Sequence, residues 1–382
     1  MRTYRIGLIF STSGAYAALG QSALAGATMA VEEVNAAGRI SLDAVHCDPE
    51  GVPENYERLT ETALADGQCR HIVGGITSWS RKDMIPILER RGALLWYPCP
   101  YEGFESNDHV VYLGACPNQH LIPLIDHVIA ADADSAFLVG SNYVWGWETL
   151  RVARARIEAS GAVVTGERYV PLGDTDCARL IEEIARTKPA VIVNSLIGPS
   201  NHAFMKALSA LIADDADFAA RGCRVVSANQ TEADLDALGL AADGMLSMGA
   251  WFESLDTDET RALTARAAQR FGPDQRLSCN FATSYMAVHL LAKGLIEADT
   301  DSPRAVLDAV QGRAHDTVLG PVVIDPVTRH ATLTPRLAVV EQGRFRIISE
   351  SSEAIAPDPY LTRASAPQKV RHSGFPGLKV VK

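Results

Sequence analysis

Residues 4–10 form a short apolar run, Ser11-Thr12-Ser13-Gly14 breaks it, and apolar positions return at helical spacing from Tyr16 to Ala37. Ala23, Ala27, Met29, Ala30 and Val34 fall on one stripe, which predicts a buried helix face. Gly38 follows the last turn as a stop. The unit is strand, polar loop, helix.

The unit recurs. Apolar runs predict strands at 71–74, 93–96, 109–113, 135–139, 162–169, 190–194, 223–227 and 244–248. Helical patterns lie between them at 82–90, 118–131, 147–160, 177–186 and 202–212. Such alternation predicts βαβ units and mainly parallel sheets. The pattern changes near Trp251. Three helices in succession are predicted at 258–271, 281–298 and 302–310, then short strands at 322–324, 337–341 and 345–349. Gln342-Gly343 reads as the hairpin turn between the last two. The tail from Ser365, with its Pro, Gly and Lys, is expected to be loosely held. This order suits an α/β fold of two doubly wound, Rossmann-like lobes. The chain then crosses between them more than once. In such sheets ligands sit beyond the carboxyl ends of the strands.

The bulk numbers restrict the function. With 382 residues the chain is long enough for two cores. Lys and Arg total 35 against 46 Asp and Glu, a formal charge of −11. That argues against direct nucleic-acid binding and against a basic membrane-surface helix. No stretch approaches the ~20 apolar residues of a membrane span. The start, Met-Arg-Thr-Tyr-Arg, lacks the long apolar core of a signal peptide. Seven scattered cysteines without a CxxC pair fit a reducing compartment. Both features predict a cytoplasmic protein; a removed leader would make it periplasmic instead.

Catalytic and cofactor signals are thin. The ten histidines contain no HxH or HxxxH pair, and His71, His202 and His289 read as ordinary surface or packed residues rather than metal ligands. There is no GxxxxGK[ST], GxGxxG or GxSxG motif. No cofactor is expected. Cys99 is the one candidate nucleophile, but its flanking prolines supply no base. A non-catalytic protein follows.

Four loops after strands carry the remaining chemistry. They are 74–79 with Ile76, Thr77 and Ser78, 96–105 with Tyr97, Cys99 and Pro100, 140–147 with Tyr143 and Trp145, and 228–232 with Thr231 and Glu232. Aromatics with polar tips make pocket walls that also hydrogen-bond. The alternative for each is that it braces or caps its own loop.

These segments resemble the type I periplasmic-binding-protein fold. The branch is that of urea-, amide- and branched-chain-amino-acid-binding proteins, and the nearest likeness is to amide-sensing negative regulators of aliphatic amidase operons. The resemblance rests on Ile6 to Gly14, Arg81-Lys82 with Pro86, the run Tyr97-Pro-Cys-Pro-Tyr-Glu-Gly-Phe-Glu105, Pro117-Asn118-Gln119, Gly140-Ser141 with Tyr143, and Pro357-Asp-Pro-Tyr360. It implies a hinge that closes on ligand, with lobe 1 at 1–118 plus 253–328, lobe 2 at 119–252 plus 329–364, and a tail at 365–382. It places Ser78, Tyr97, Cys99 and Tyr143 at the amide pocket. Ile76 and Trp145 stand where the family has tyrosines, and Cys99 where it has threonine. The family's amino-acid binders use a second-lobe acid to hold an ammonium, and Glu232 is the candidate here. The expected ligand is an amide, urea or an amino acid. The expected partner is an antiterminator or response-regulator protein, or alternatively an ABC permease. Homo-oligomerisation is left open.

Overall fold

The structure, a computed structural model, describes residues 1–131, 133–363 and 378–380. The first half-chain begins β1 (Thr3–Ile9), α1 (Ala17–Ala36), β2 (Ser41–Cys47), α2 (Pro53–Leu64), β3 (Cys69–Gly74), α3 (Ser78–Arg91), β4 (Leu94–Tyr97) and β5 (Val110–Tyr112). These strands form one parallel sheet in the order β2-β1-β3-β4-β5.

The chain then crosses over. It continues α4 (Leu121–Ala130), β6 (Ser135–Ser141), α5 (Val144–Ala159), β7 (Val163–Val170), α6 (Ala178–Thr187), β8 (Val191–Ser195), α7 (Gly198–Asp214), α8 (Ala216–Arg221), β9 (Arg224–Ser227), α9 (Glu232–Leu238) and β10 (Leu246–Gly249). A second crossing leads to α10 (Asp258–Phe271), α11 (Cys279–Ala298), α12 (Pro303–Val310) and the hairpin β11 (Ala314–Thr317)–β12 (Gly320–Val323). A third returns to β13 (Arg336–Glu341), β14 (Arg344–Ser351) and β15 (Leu378–Val380). The second sheet has the order β15-β14-β13-β10-β9-β8-β6-β7. It is parallel from β10 to β7 and antiparallel where β13 joins β10 and β14 and β15 follow. The fold class expected from the sequence, an α/β fold of two mainly parallel sheets, is the one present.

The late helices complete the first sheet's layer. α11 lies along α1, and a Cβ at Gly26 would stand 2.2 Å from the Phe281 carbonyl oxygen. Only a residue without a side chain permits that approach. In the β13–β14 turn, Gln342 and Gly343 both have positive φ, 51° and 71°, the geometry of a primed hairpin turn.

Several details differ from the expectation. β2 and α2 fill residues 41–64, where no element was predicted. β2 buries only one residue fully and α2 only Tyr56, Thr60 and Leu64, so neither carries a strong apolar period. α3 starts at Ser78 and α7 at Gly198, four residues ahead of their apolar patterns, while α8 and β11 were not anticipated. Residues 329–331, assigned above to lobe 2, run beside the first sheet: His330 bridges Tyr112 and stacks on its ring at 4.1 Å. The expected loose tail falls on 365–382. Within it only Leu378–Val380 are described, and they pair with β14; 365–377 and 381–382 lie outside the described residues.

Arg336 ties the crossings together. Buried at the third, it donates to the Ala250 carbonyl of the second and to the carbonyls of Leu319 (3.5 Å) and Thr334 (3.3 Å).

Candidate functional site

The loops after β1, β3 and β4 face the loops after β6, β8 and β9 across one cleft, and the two sides touch. The Trp79 and Tyr143 rings lie 5.3 Å apart between centroids. The Arg151 guanidinium sits 4.8 Å over the Phe104 ring, and Arg276 pairs with Asp236 at 2.7 Å. The first turn of α7 meets the backbone of Ala15, where a Cβ on Gly198 would lie 2.2 Å from the Ala15 oxygen.

Ile76, Thr77, Ser78, Tyr97, Cys99 and Pro100 come together on the first wall. All are buried except Pro100, which is half-buried. Thr77 caps α3: its hydroxyl accepts from the Ser80 N–H at 3.1 Å, and the Ser80 hydroxyl accepts from the Thr77 N–H at 3.0 Å. That box explains why a helix starts in a segment that looks like a polar loop. The side chains of this wall turn inward. Tyr97 donates to the Ile76 carbonyl at 3.4 Å, the Cys99 thiol to the Gly75 carbonyl at 3.4 Å, and the Ser78 hydroxyl to the Glu102 carboxylate. The N–H groups of Ser78 and Trp79, in the first helical turn, have no intrahelical acceptor. Burial pushes the Cys99 thiol far up, so it stays protonated and is no nucleophile.

Behind this wall lies a buried charge cluster. Arg81 is wholly enclosed, with its guanidinium 4.8 Å from the Tyr97 ring centroid and 4.5 Å from that of Tyr101. It donates to Glu105 at 2.6 Å and Glu102 at 3.3 Å, and Lys82 adds a bond to Glu105 at 2.7 Å. Burial opposes ionisation of Glu105, but Arg81 and Lys82 outweigh it and hold its pKa down to about 2.

On the second wall Tyr143 and Trp145 follow β6 and Thr231 and Glu232 follow β9, and each is buried. Three of them carry polar atoms without a hydrogen-bond partner: Trp145 Nε1, Thr231 Oγ1 and Glu232 Oε2. The other Glu232 oxygen accepts from the Glu253 N–H at 2.8 Å. Burial raises the Glu232 pKa to about 8. A chain of amides supports this wall: Asn194 donates to Asn201 and Asn201 to Gln230, each at 2.8 Å, and Gln230 to the Leu196 carbonyl at 3.2 Å.

The deep end of the cleft encloses a cavity of about 20 Å³ between Pro100, Gly114, His120, Thr231, Trp251 and Cys279. His120 donates from Nε2 to the Tyr101 carbonyl at 3.2 Å, its Nδ1 has no partner, and burial lowers its pKa to about 4. It is a neutral acceptor. Sequence reasoning missed His120, Trp251, Cys279 and Glu102. Glu102 stands in the very run that carries the resemblance, but nothing in that run says which side chain it meets.

Two other histidines have structural partners. His71 is buried between the Asp301 carbonyl (3.1 Å) and the Trp96 indole (3.3 Å), and His202 pairs with Asp234 at 3.0 Å. Among the described residues no helix is long and apolar enough to cross a membrane, and no His, Cys, Asp and Glu group is placed to hold a metal.

Known proteins share this architecture. Leu/Ile/Val-binding protein homolog 6 of Brucella abortus is 25% identical over 339 residues, covering 86% of this chain and 85% of its own. A solute-binding protein of an R. palustris ABC transporter, solved with benzoate, superimposes with a TM-score of 0.84 at 18% identity, over 94% and 98% of the two chains. A leucine-binding protein of Thermotoga maritima does so with 0.78 at 14% identity, over 90% and 97%. At those identities the two structures speak for the fold. The model of the periplasmic binding protein domain matches residues 4–366, so this chain belongs to that family.

Proposed function

We propose that the chain is the solute-binding component of an ABC-type uptake system, closing its lobes over a small polar organic ligand on the periplasmic side. The observation that carries this is the set of unpartnered buried atoms on the second wall, Trp145 Nε1, Thr231 Oγ1 and Glu232 Oε2. A buried polar atom without a partner costs about 1–3 kcal/mol. A ligand that supplies the partners recovers that cost on binding.

The two walls differ in chemistry. The leftover N–H groups of Ser78 and Trp79, at the positive end of α3, suit a carboxylate or carbonyl oxygen. Glu232 suits an ammonium or amide N–H. Amino acids satisfy both walls; benzoate satisfies only the first. The names of the Brucella and Thermotoga relatives point to branched-chain amino acids, and that of the R. palustris protein to an aromatic acid. The amino-acid class is the better match to Glu232.

A thermal-shift panel of L-leucine, L-valine, benzoate, 4-hydroxybenzoate, acetamide and urea tests it. Saturating ligand at about 100 times its dissociation constant stabilises by about 2.7 kcal/mol. Response to an amino acid is expected, and silence across the panel refutes the ligand class.

Two observations favour a second reading, a cytoplasmic amide or urea sensor that controls an antiterminator-type partner. All seven cysteines are unbonded, as a reducing compartment would keep them. The pocket at the deep end of the cleft is small, about 20 Å³, which favours a compact ligand over leucine. Stabilisation by acetamide or urea but not by leucine decides for this reading.

A further inference from the structure

We infer that Glu102 is a positioning residue for the first wall, and that the ligand is held there by backbone N–H groups and not by the Ser78 hydroxyl. The inference rests on the cleft reading above and adds how the wall is set.

A serine hydroxyl has a single proton to donate. That of Ser78 is directed to the Glu102 carboxylate. A ligand carboxylate or carbonyl offers only acceptors, so this hydroxyl has no proton left for it. Tyr97 and Cys99 are committed likewise, to the Ile76 and Gly75 carbonyls, and the Ser80 hydroxyl donates to the Thr77 carbonyl, while the Thr77 hydroxyl accepts from the Ser80 N–H. Among the donors left over, besides the Thr77 hydroxyl and the enclosed Arg81 Nη1, are the Ser78 and Trp79 N–H groups, whose direction is set by the first turn of α3.

Glu102 holds that turn at two points. One carboxylate oxygen takes the Ser78 hydroxyl, at the first residue of the helix. The other takes Arg81 Nη2 at 3.3 Å, three residues on. The Glu102 and Arg81 side chains are 1% and 0% exposed, so water does not compete for either bond. Arg81 is anchored in turn by Glu105, which also accepts from the Tyr112 hydroxyl at 2.8 Å on the last strand of the sheet. The helix start is thereby fastened to the sheet through charge-assisted bonds, a class stronger than neutral ones. Glu102 sits in a loop five residues beyond β4, with both carboxylate oxygens turned to α3.

The experiment uses the full chain and compares Ser78→Ala, Glu102→Gln and the double variant, with L-leucine and benzoate as calorimetric probes. Hydrogen exchange at the Ser78 and Trp79 amides is followed without ligand. Ser78→Ala removes one of the two holds on the turn but no ligand bond and should raise the dissociation constant up to about threefold, whereas Glu102→Gln loosens both holds and should raise it about tenfold or more. The double variant should resemble Glu102→Gln, since the Ser78 hydroxyl adds little once the carboxylate that also holds Arg81 is gone. Exchange at Ser78 and Trp79 should quicken in Glu102→Gln while the rest of α3 keeps its protection; a merely structural role would loosen the whole helix or lower melting without this local change. Should Glu102→Gln not fold, Glu102→Asp, one methylene shorter, is measured in its place with the same expectations. A Ser78→Ala penalty as large as that of Glu102→Gln overturns the inference, and so does unchanged exchange at the two amides. If neither probe binds the unaltered chain, the ligand class fails, and the exchange result alone decides the role of Glu102.

Discussion

Gly198 opens α7 with φ at +61°, and a Cβ added there would lie 2.2 Å from the Ala15 carbonyl oxygen on the other side of the cleft. An ordinary C···O contact is about 3.3 Å, so the Gly198→Ala chain must part the two sides by roughly 1 Å at this point. A second cost is local: a residue with a Cβ pays about 1–2 kcal/mol in the left-handed region. Gly222 separates the two effects. Its φ is +66°, in the same sheet's half of the molecule, and a Cβ there meets nothing within 4 Å. Gly222→Ala should therefore lower the unfolding free energy by about 1 kcal/mol and leave ligand affinity alone. Gly198→Ala carries the same backbone strain in open and closed forms, plus a steric penalty confined to the closed one. A penalty of about 2 kcal/mol on closure weakens binding roughly thirtyfold. Calorimetry with the best ligand of the panel reads the affinity, and small-angle scattering of the free protein should show a larger radius of gyration for Gly198→Ala. Equal affinities for the two alanine variants would refute the reasoning.

Thr231→Val removes a buried hydroxyl that has no partner, so denaturant melts should show the free protein no less stable while calorimetry shows ligand binding about tenfold weaker. Glu232 is raised by burial to about 8, so between the ordinary carboxylate value and that point the folded chain holds a proton that the unfolded chain has lost; stability falls as pH rises through this window and levels off above it. Glu232→Gln should flatten that slope, and parallel stability-against-pH curves for the two proteins would count against the assignment. The same group makes an ammonium ligand displace a proton near neutral pH, which calorimetry in buffers of different ionisation enthalpy detects. Arg336→Met leaves the Ala250 carbonyl without its donor, and urea melts should show a loss of about 2–3 kcal/mol; a loss under about 0.5 kcal/mol would remove Arg336 from its role at the crossings.

The alternation of strand and helix was legible because both sheets are covered on both faces, so their strands read as apolar runs and their helices as striped ones. β2 was hidden at the edge of its sheet, where only Leu42 is fully buried. The start of α3 was hidden for another reason: Thr77 and Ser80, which cap it, are the residue types that also make loops. Of the candidate site, the positions could be read but not the directions. Ser78, Tyr97 and Cys99 lie at the ends of β3 and β4 and the loops that follow, and their side-chain donors point into the protein. Glu232 reads from sequence as a favourable acid in a first helical turn, and only packing against Glu253 and the cleft shows it enclosed. His120 and Cys279 reach the cavity from segments more than 150 residues apart, which no local pattern reports.

The close seating of Gly26 under Phe281 joins two helices some 250 residues apart in the chain. During synthesis α1 emerges long before α11, so its small-residue face stays uncovered while β6 to β10 of the second sheet are being made. Such distant pairings carry a large loop-closure cost and slow folding. The first sheet therefore waits, partly exposed, for the last third of the chain, and a ribosome-bound fragment ending near residue 250 should present that face of α1 to chaperones.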